Sequence, residues 1–145
     1  MSDRYPVDPN DRRAEAARWL VYANEDVRAI DVCLATDPPL RGVAAYHCQQ
    51  AAEKIVKGML IAAAAHFPFT HSLTVLGEIA VVHYPLMQET LSRIAPLTSW
   101  NMDFRYPAPR KPASTSPPPT PDEILTSLTD VMELAIFLRT LTTPT

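Results

Sequence analysis

Apolar residues recur at intervals of three and four positions along most of this chain, and this spacing predicts α-helices. In the first such segment they fall within one stripe less than about 100° wide when plotted at 100° per residue. Asn10 is a favourable N-cap residue, and Asp37-Pro38-Pro39 cannot continue a helix. The segment therefore predicts a helix from Asn10 to about Ala35, preceded by a flexible tail over residues 1–9.

The second apolar segment predicts a helix from about Leu40 to Ala65 that has two different faces. One face is expected to point into the core and carries Ala45, Cys48, Ala52, Ile55, Val56, Met59 and Ala63. The other is polar, is expected to point away from the core, and carries Tyr46, His47, Gln50, Lys54 and Lys57. Phe67-Pro68-Phe69 ends this helix, because proline cannot continue it.

Three more helices follow from cap residues and prolines. Thr70 or Ser72 can cap a third helix from Leu73 to about Val82. A short fourth helix can start at Pro85 and reach about Ile94. The run Thr120-Pro121-Asp122-Glu123 predicts the start of the last helix, since it combines a capping box with proline at the first helical position.

These elements predict an all-α fold, because the sequence contains no convincing strand and no internal repeat. Amphipathic helices bury their apolar stripes against each other, and short connections favour antiparallel neighbours. We therefore expect an up-down helical bundle of four main helices plus a short fifth helix, forming a single domain over residues 1–145. Residues 107–121 are rich in proline and are expected to form a flexible loop.

Composition narrows the classes of function. The formal net charge is −3, so the chain as a whole does not attract nucleic acid or anionic lipid, and any contact with nucleic acid needs a local basic patch. We expect no signal peptide, because the N-terminus is polar, and no membrane span, because the longest apolar stretch is too short. We expect a cytoplasmic protein in which Cys33 and Cys48 are small buried residues.

The second helix contains the run Tyr46-His47-Cys48-Gln49-Gln50-Ala51-Ala52-Glu53-Lys54, followed by Lys57. This run resembles the signature of HEPN (higher eukaryotes and prokaryotes nucleotide-binding) domains. Three other segments resemble parts of the same family in the same order. They are Ala17-Arg18-Trp19-Leu20 with Ala23, Glu25 and Asp26; Pro68-Phe69-Thr70-His71-Ser72-Leu73 with Leu76; and Arg105-Tyr106-Pro107.

The resemblance implies a helical bundle that often forms a homodimer. It also implies a partner protein, a small nucleotidyltransferase encoded alongside in a toxin–antitoxin arrangement. Many members of the family are metal-independent ribonucleases with an Arg and a later His separated by four to six residues, whereas others bind nucleotides or proteins. We therefore expect a nucleotide- or RNA-related binding module, and keep an endoribonuclease toxin and a structural helical adaptor as alternatives.

Only Arg41 and His47 match the ribonuclease spacing. A neutral imidazole could take the proton from a ribose 2′-OH, and a guanidinium could stabilise the charge that develops on the phosphate, without a metal. In one regular helix, however, the two residues would lie about 120° apart. They could converge only if Arg41 lies in an irregular turn after Pro39. In active relatives the motif also usually lies late in the domain, where this chain has Arg105-Tyr106-Pro107 and no His after it.

The polar face of the second helix is the other candidate site. Its His, Gln and two Lys offer hydrogen-bond donors and positive charge that suit a phosphate, although a solvated helix face would have the same pattern. Arg105 and Tyr106 could add a charge and a stacking ring. The candidate nucleotide- or phosphate-binding residues are thus His47, Gln50, Lys54, Lys57, Arg105 and Tyr106. No pair of residues has a metal-ligand spacing such as His-x-x-x-His, so we expect no metal site and no cofactor.

Overall fold

The computed structural model describes residues 8–100 and 117–144. This part of the chain contains five α-helices and no strand: α1 (Pro9–Ala35), α2 (Arg41–Ala62), α3 (Leu73–His83), α4 (Gln88–Ile94) and α5 (Pro121–Thr142). Two 3-10 helices, Pro85–Met87 and Ala95–Trp100, flank α4. The prediction of an all-α helical bundle is confirmed. None of the helices in the two described ranges combines the length and the apolar character that crossing a bilayer requires.

The ends of the helices follow the local sequence closely. At α5 the predicted capping box is present, because Glu123 N donates to Thr120 Oγ1 over 3.2 Å and Thr120 N donates to Glu123 Oε1 over 3.1 Å. Of the two residues that could cap α3, Ser72 does so by accepting from Val75 N. The prediction of Asn10 as the first cap is wrong: Asp8 caps α1 and Pro9 takes the first helical position, which suits its fixed φ.

The second helix is shorter than predicted. It ends at Ala62 instead of Ala65, because the chain turns there through a left-handed residue, Ala64, whose φ is 55°. Ala65 N donates to Leu60 O and Ala64 N donates to Ile61 O, which is the hydrogen-bond pattern of a Schellman motif. This closure satisfies two of the last carbonyl groups of α2 and starts the connection to α3.

The bundle is built around α2, which packs most extensively against α1 and also contacts α3 and α5. The first half of its core-facing side consists of small, fully buried residues, so neighbouring helices can approach closely there. At Gly58 an added Cβ would lie 2.8 Å from Leu138 Cδ2 of α5 and 3.5 Å from the Ala16 carbonyl oxygen of α1. Both outer helices therefore press against this glycine.

The direction of each helix follows from its contacts with α2. Ala16 lies near Gly58, and Asp26 lies beside His47, so α1 runs antiparallel to α2. Pro118, just before α5, lies beside Arg41, so α5 runs parallel to α2 and antiparallel to α1. The segment over residues 63–72 turns back along α2 and brings the start of α3 next to the middle of that helix.

Candidate functional site

A carboxylate of α1 holds two of the predicted site residues together. Asp26 Oδ1 lies 2.8 Å from His47 Nδ1, and Asp26 Oδ2 accepts from Lys54 Nζ over 2.6 Å. The two α2 residues are seven positions apart, so they occupy nearly the same angle on the helix. Asp26 is buried, whereas the side chains of His47 and Lys54 are each 28% exposed. The cluster therefore opens towards solvent on its α2 side.

A second carboxylate, Glu53 of α2, has the same kinds of partners. Glu53 Oε1 lies 2.9 Å from His71 Nδ1, and Glu53 Oε2 accepts from Lys57 Nζ over 3.2 Å. Gln49 Nε2 also donates to Glu53 Oε1 over 3.2 Å. Only His71 is exposed in this group, since the side chains of Lys57 and Glu53 are 11% and 7% exposed.

The two carboxylates thus share one arrangement: each holds a His through Nδ1 with one oxygen and a Lys with the other oxygen. Gln50 Nε2 donates to Gln49 Oε1 over 2.7 Å and extends the Glu53 group towards the Asp26 group along the surface of α2. The polar residues of α2 consequently form a strip with two separate hydrogen-bonded groups, one around Asp26 and the other around Glu53.

This strip corrects the expectation that the polar face of the second helix points away from the bundle. Lys57 is buried and lies 5.9 Å from the centre of the Phe69 ring, beneath the segment that returns to α3. Both lysines pair with a carboxylate, but the side chain of Lys57 is only 11% exposed whereas that of Lys54 is 28% exposed, so burial keeps Lys57 from a phosphate in this conformation. The face is covered because α1 lies against one edge of it and residues 63–72 lie against the other.

The remaining predicted residues have different surroundings. Arg41 is the first residue of α2, and its Nη1 donates to the Pro118 carbonyl oxygen over 3.3 Å. Arg41 and His47 therefore share no partner among the described residues, since the guanidinium contacts the segment before α5 and the imidazole contacts α1. Arg105 and Tyr106 lie outside the described residues.

The contact with Asp26 defines the chemistry that His47 can offer. An ionised carboxylate can only accept a hydrogen bond, so Nδ1 of His47 carries a proton. Nε2 is then an acceptor in the neutral ring and a donor in the imidazolium form. No described residue occupies Nε2, and Lys54 Nζ keeps N–H groups beyond the one that Asp26 accepts. The pair can therefore bind an anion, and the oriented imidazole could also accept a proton.

The thiol that lies next to this pair in the sequence has no part in the chemistry. Cys48 points into the core, and burial raises the pKa of its thiol to about 12. Burial also raises the pKa of Cys33. Because the thiolate is the reactive form, both cysteines are inert packing residues at neutral pH. This agrees with their expected role as small buried residues.

Sequence reasoning missed the residues that organise the site. Asp26 and Glu53 belong to the segments that resemble the family, but neither was predicted as a site residue. The i, i+4 spacing of Glu53 and Lys57 was a readable signal for one pair. No local feature of the sequence indicates that Asp26 contacts His47 and Lys54, which lie 21 and 28 positions further along the chain. Among the described residues, no group of three His, Cys, Asp or Glu side chains is placed to hold a metal ion.

Comparison with known families agrees with the sequence pattern. The family model described as the HEPN domain matches residues 16–140, which includes both carboxylate groups. Neither the curated proteins nor the solved structures contain a match to the chain.

Proposed function

The chain belongs to the HEPN domain family, and on that premise we propose that it is a binding module for phosphate-bearing ligands of the nucleotide or RNA type. The residues we assign to the phosphate are His47 and Lys54, with Gln50 beside them on the same helix. Lys57 is not assigned to the ligand, since it is buried against Glu53. Arg105 and Tyr106 remain predicted contributors.

One observation carries this proposal: Asp26 holds His47 and Lys54 side by side at a half-buried position that solvent can reach. Fixing both side chains in advance lowers the entropy that binding would otherwise cost. A carboxylate that neutralises part of the positive charge also weakens non-specific attraction to any polyanion. The arrangement therefore favours selective binding of a small anionic group over general binding of nucleic acid.

The proposal is tested by calorimetric titration of the purified protein with AMP, a simple phosphate-bearing probe. We expect Lys54→Met and His47→Ala each to weaken binding about tenfold or more, because a hydrogen bond to a charged group contributes about 1.5–3 kcal/mol. Arg139→Gln is the matched control, since it removes one positive charge from an exposed position at the far end of α5. Circular dichroism of each variant verifies that the helices are retained.

Two results would contradict the proposal. One is an absence of any binding of AMP or of a short RNA by the wild-type protein at millimolar concentration. The other is an equal loss of affinity in Lys54→Met and Arg139→Gln, which would mean that only the overall charge matters.

A second candidate function is a metal-independent endoribonuclease that uses Arg41 and His47. The contact between Asp26 and His47 favours it, because a carboxylate on Nδ1 orients the ring so that Nε2 can accept a proton. Arg41 would first have to leave the Pro118 carbonyl oxygen to reach a phosphate. Incubation with total RNA in EDTA tests this candidate. Cleavage that persists in His47→Ala would show the catalytic assignment to be wrong.

We further propose the partners that the family resemblance implied, a second copy of this chain and a small nucleotidyltransferase in a toxin–antitoxin-like system. An apolar groove on α5, lined in part by Leu125, Met132 and Ile136, has a chemistry that suits a protein partner. Light scattering of the purified chain tests the homodimer. Co-purification with a nucleotidyltransferase encoded next to it tests the second partner, and a monomer that captures no such protein would contradict both.

A further inference from the structure

A groove of about 410 Å³ runs along the line where α1 meets α2, and it adjoins the Asp26 group. Its walls are Glu15, Arg18, Trp19, Tyr22 and Lys54. The four α1 residues recur at helical spacing on one face, and Asp26 lies one turn beyond Tyr22 on that face. Lys54 belongs to both features, since it lines the groove and donates to Asp26. The groove and the phosphate-binding pair are therefore continuous.

Two aromatic rings, Trp19 and Tyr22, line the groove. Trp19 is half-buried and packs against the core, which fixes its position. Tyr22, three residues later, is 59% exposed and makes no hydrogen bond or ring contact with a described residue. An exposed ring beside a fixed indole can accept a planar ligand on its face.

The charged groups of the groove are also available. Arg18 is exposed and Glu15 is half-buried, and neither has a hydrogen-bond or ion-pair partner among the described residues. A guanidinium can both stack on a ring and bind phosphate through several N–H groups. The groove thus offers two aromatic rings, the guanidinium of Arg18 and the amine of Lys54.

We infer that this groove is the binding site for a nucleobase, stacked on Tyr22 and Trp19, whose phosphate is held by Lys54 and His47. This inference rests on the proposed function, which assigned residues to the phosphate, and it adds the residues that would bind the base. Seven residues separate Trp19 from Asp26, which corresponds to about 10 Å along α1. That length accommodates one nucleotide, and the groove volume lies in the usual range for small-ligand sites, about 300–1,000 Å³. The base could belong to a free nucleotide or to an unpaired position in RNA.

The base and phosphate contributions separate when ligands with and without a base are compared. The background variant is Trp100→Phe, because the chain has two tryptophans and this change leaves Trp19 as the only indole reporter. AMP, ribose 5-phosphate and a short oligoadenylate are each titrated while the tryptophan emission is recorded. We expect AMP or oligoadenylate to quench Trp19 and to bind at least fivefold more tightly than ribose 5-phosphate.

Tyr22→Ser tests the stacking surface directly. Val32→Ser is the matched control, because Val32 is also an exposed apolar residue of α1 but lies outside the groove. We expect Tyr22→Ser to weaken binding of the base-containing ligand about fivefold to a hundredfold and to leave ribose 5-phosphate unchanged. Val32→Ser is expected to bind both ligands as the background does.

The outcomes distinguish this inference from the proposed function. If AMP, oligoadenylate and ribose 5-phosphate bind equally well in a manner that depends on Lys54, the phosphate site stands and the base site is wrong. The base site is also wrong if Tyr22→Ser and Val32→Ser behave alike. If none of the three ligands binds, both the inference and the proposed function are overturned.

Discussion

The buried ion pair between Glu53 and Lys57 gives the sharpest test of how the polar strip of α2 is held together. We expect Glu53→Met to destabilise the protein by about 3–5 kcal/mol, the usual cost of leaving one buried charge without its partner. No carboxylate among the described residues would then pair with Lys57, which would keep the Phe69 ring 5.9 Å away. Lys57→Met is expected to cost less, about 1–3 kcal/mol, because Gln49 and His71 still donate to the Glu53 carboxylate.

The magnitude follows from the geometry of the pair. At 3.2 Å and an effective dielectric constant of about 20, the gross attraction is about 5 kcal/mol. Desolvation offsets much of it, since the Lys57 and Glu53 side chains are only 11% and 7% exposed. The double variant Glu53→Met with Lys57→Met removes both charges. It should therefore be about 2 kcal/mol more stable than Glu53→Met alone, while Gln49 still lacks its acceptor.

The assay is urea-induced unfolding at pH 7, monitored by circular dichroism and analysed as a double-mutant cycle. The exposed i, i+4 pair of Glu89 and Arg93 is the control cycle, and we expect its coupling to fall within experimental error. If the double variant is no more stable than Glu53→Met alone, the two charges do not compensate each other, and the account of the strip is wrong.

Three further predictions concern single positions. Ala64→Gly should stabilise the protein by about 1 kcal/mol in thermal melts, because glycine adopts the left-handed φ of 55° without strain. Ala63→Gly is the control and should destabilise the protein. Equal effects of the two changes would contradict the Schellman motif at the end of α2. Gly58→Val should destabilise by about 1–3 kcal/mol through overpacking against Leu138, and an unchanged urea midpoint would show that the helices can separate there. The Cys48 thiol should react with a thiol reagent only after denaturation. Folding raises the pKa of the Cys48 thiol from 9.0 to about 12, so its stabilising contribution is complete below pH 9 and is lost as the pH rises towards 12. If the free energy of unfolding changes with pH over this range equally in the wild type and in Cys48→Ala, the raised pKa of Cys48 is wrong.

Local sequence was sufficient for the number and order of the helices and for the family, although it misplaced the start of α1 and the end of α2. The capping box at Thr120 and the prolines after α1 set where helices begin and end, because these effects depend only on neighbouring residues. The apolar stripe of α2 was also assigned correctly, since Cys48 and Ala52 are fully buried. The run from Tyr46 to Lys54 predicted the HEPN family, and the match of the family model to residues 16–140 confirmed it.

The site depended on the tertiary structure. Helical periodicity gives the angle of Lys54 and Lys57 on α2, and these angles differ by only about 60°. Periodicity does not indicate which residues of the polar face another segment of the chain will cover. Lys54 stays half-exposed on Asp26 of α1, whereas Lys57 is buried beneath the return to α3. The sequence by itself thus determined the number and order of the helices, the core stripe and the family. Packing decided which lysine is buried and which stays half-exposed, because the carboxylate that pairs with Lys54 comes from a distant part of the chain.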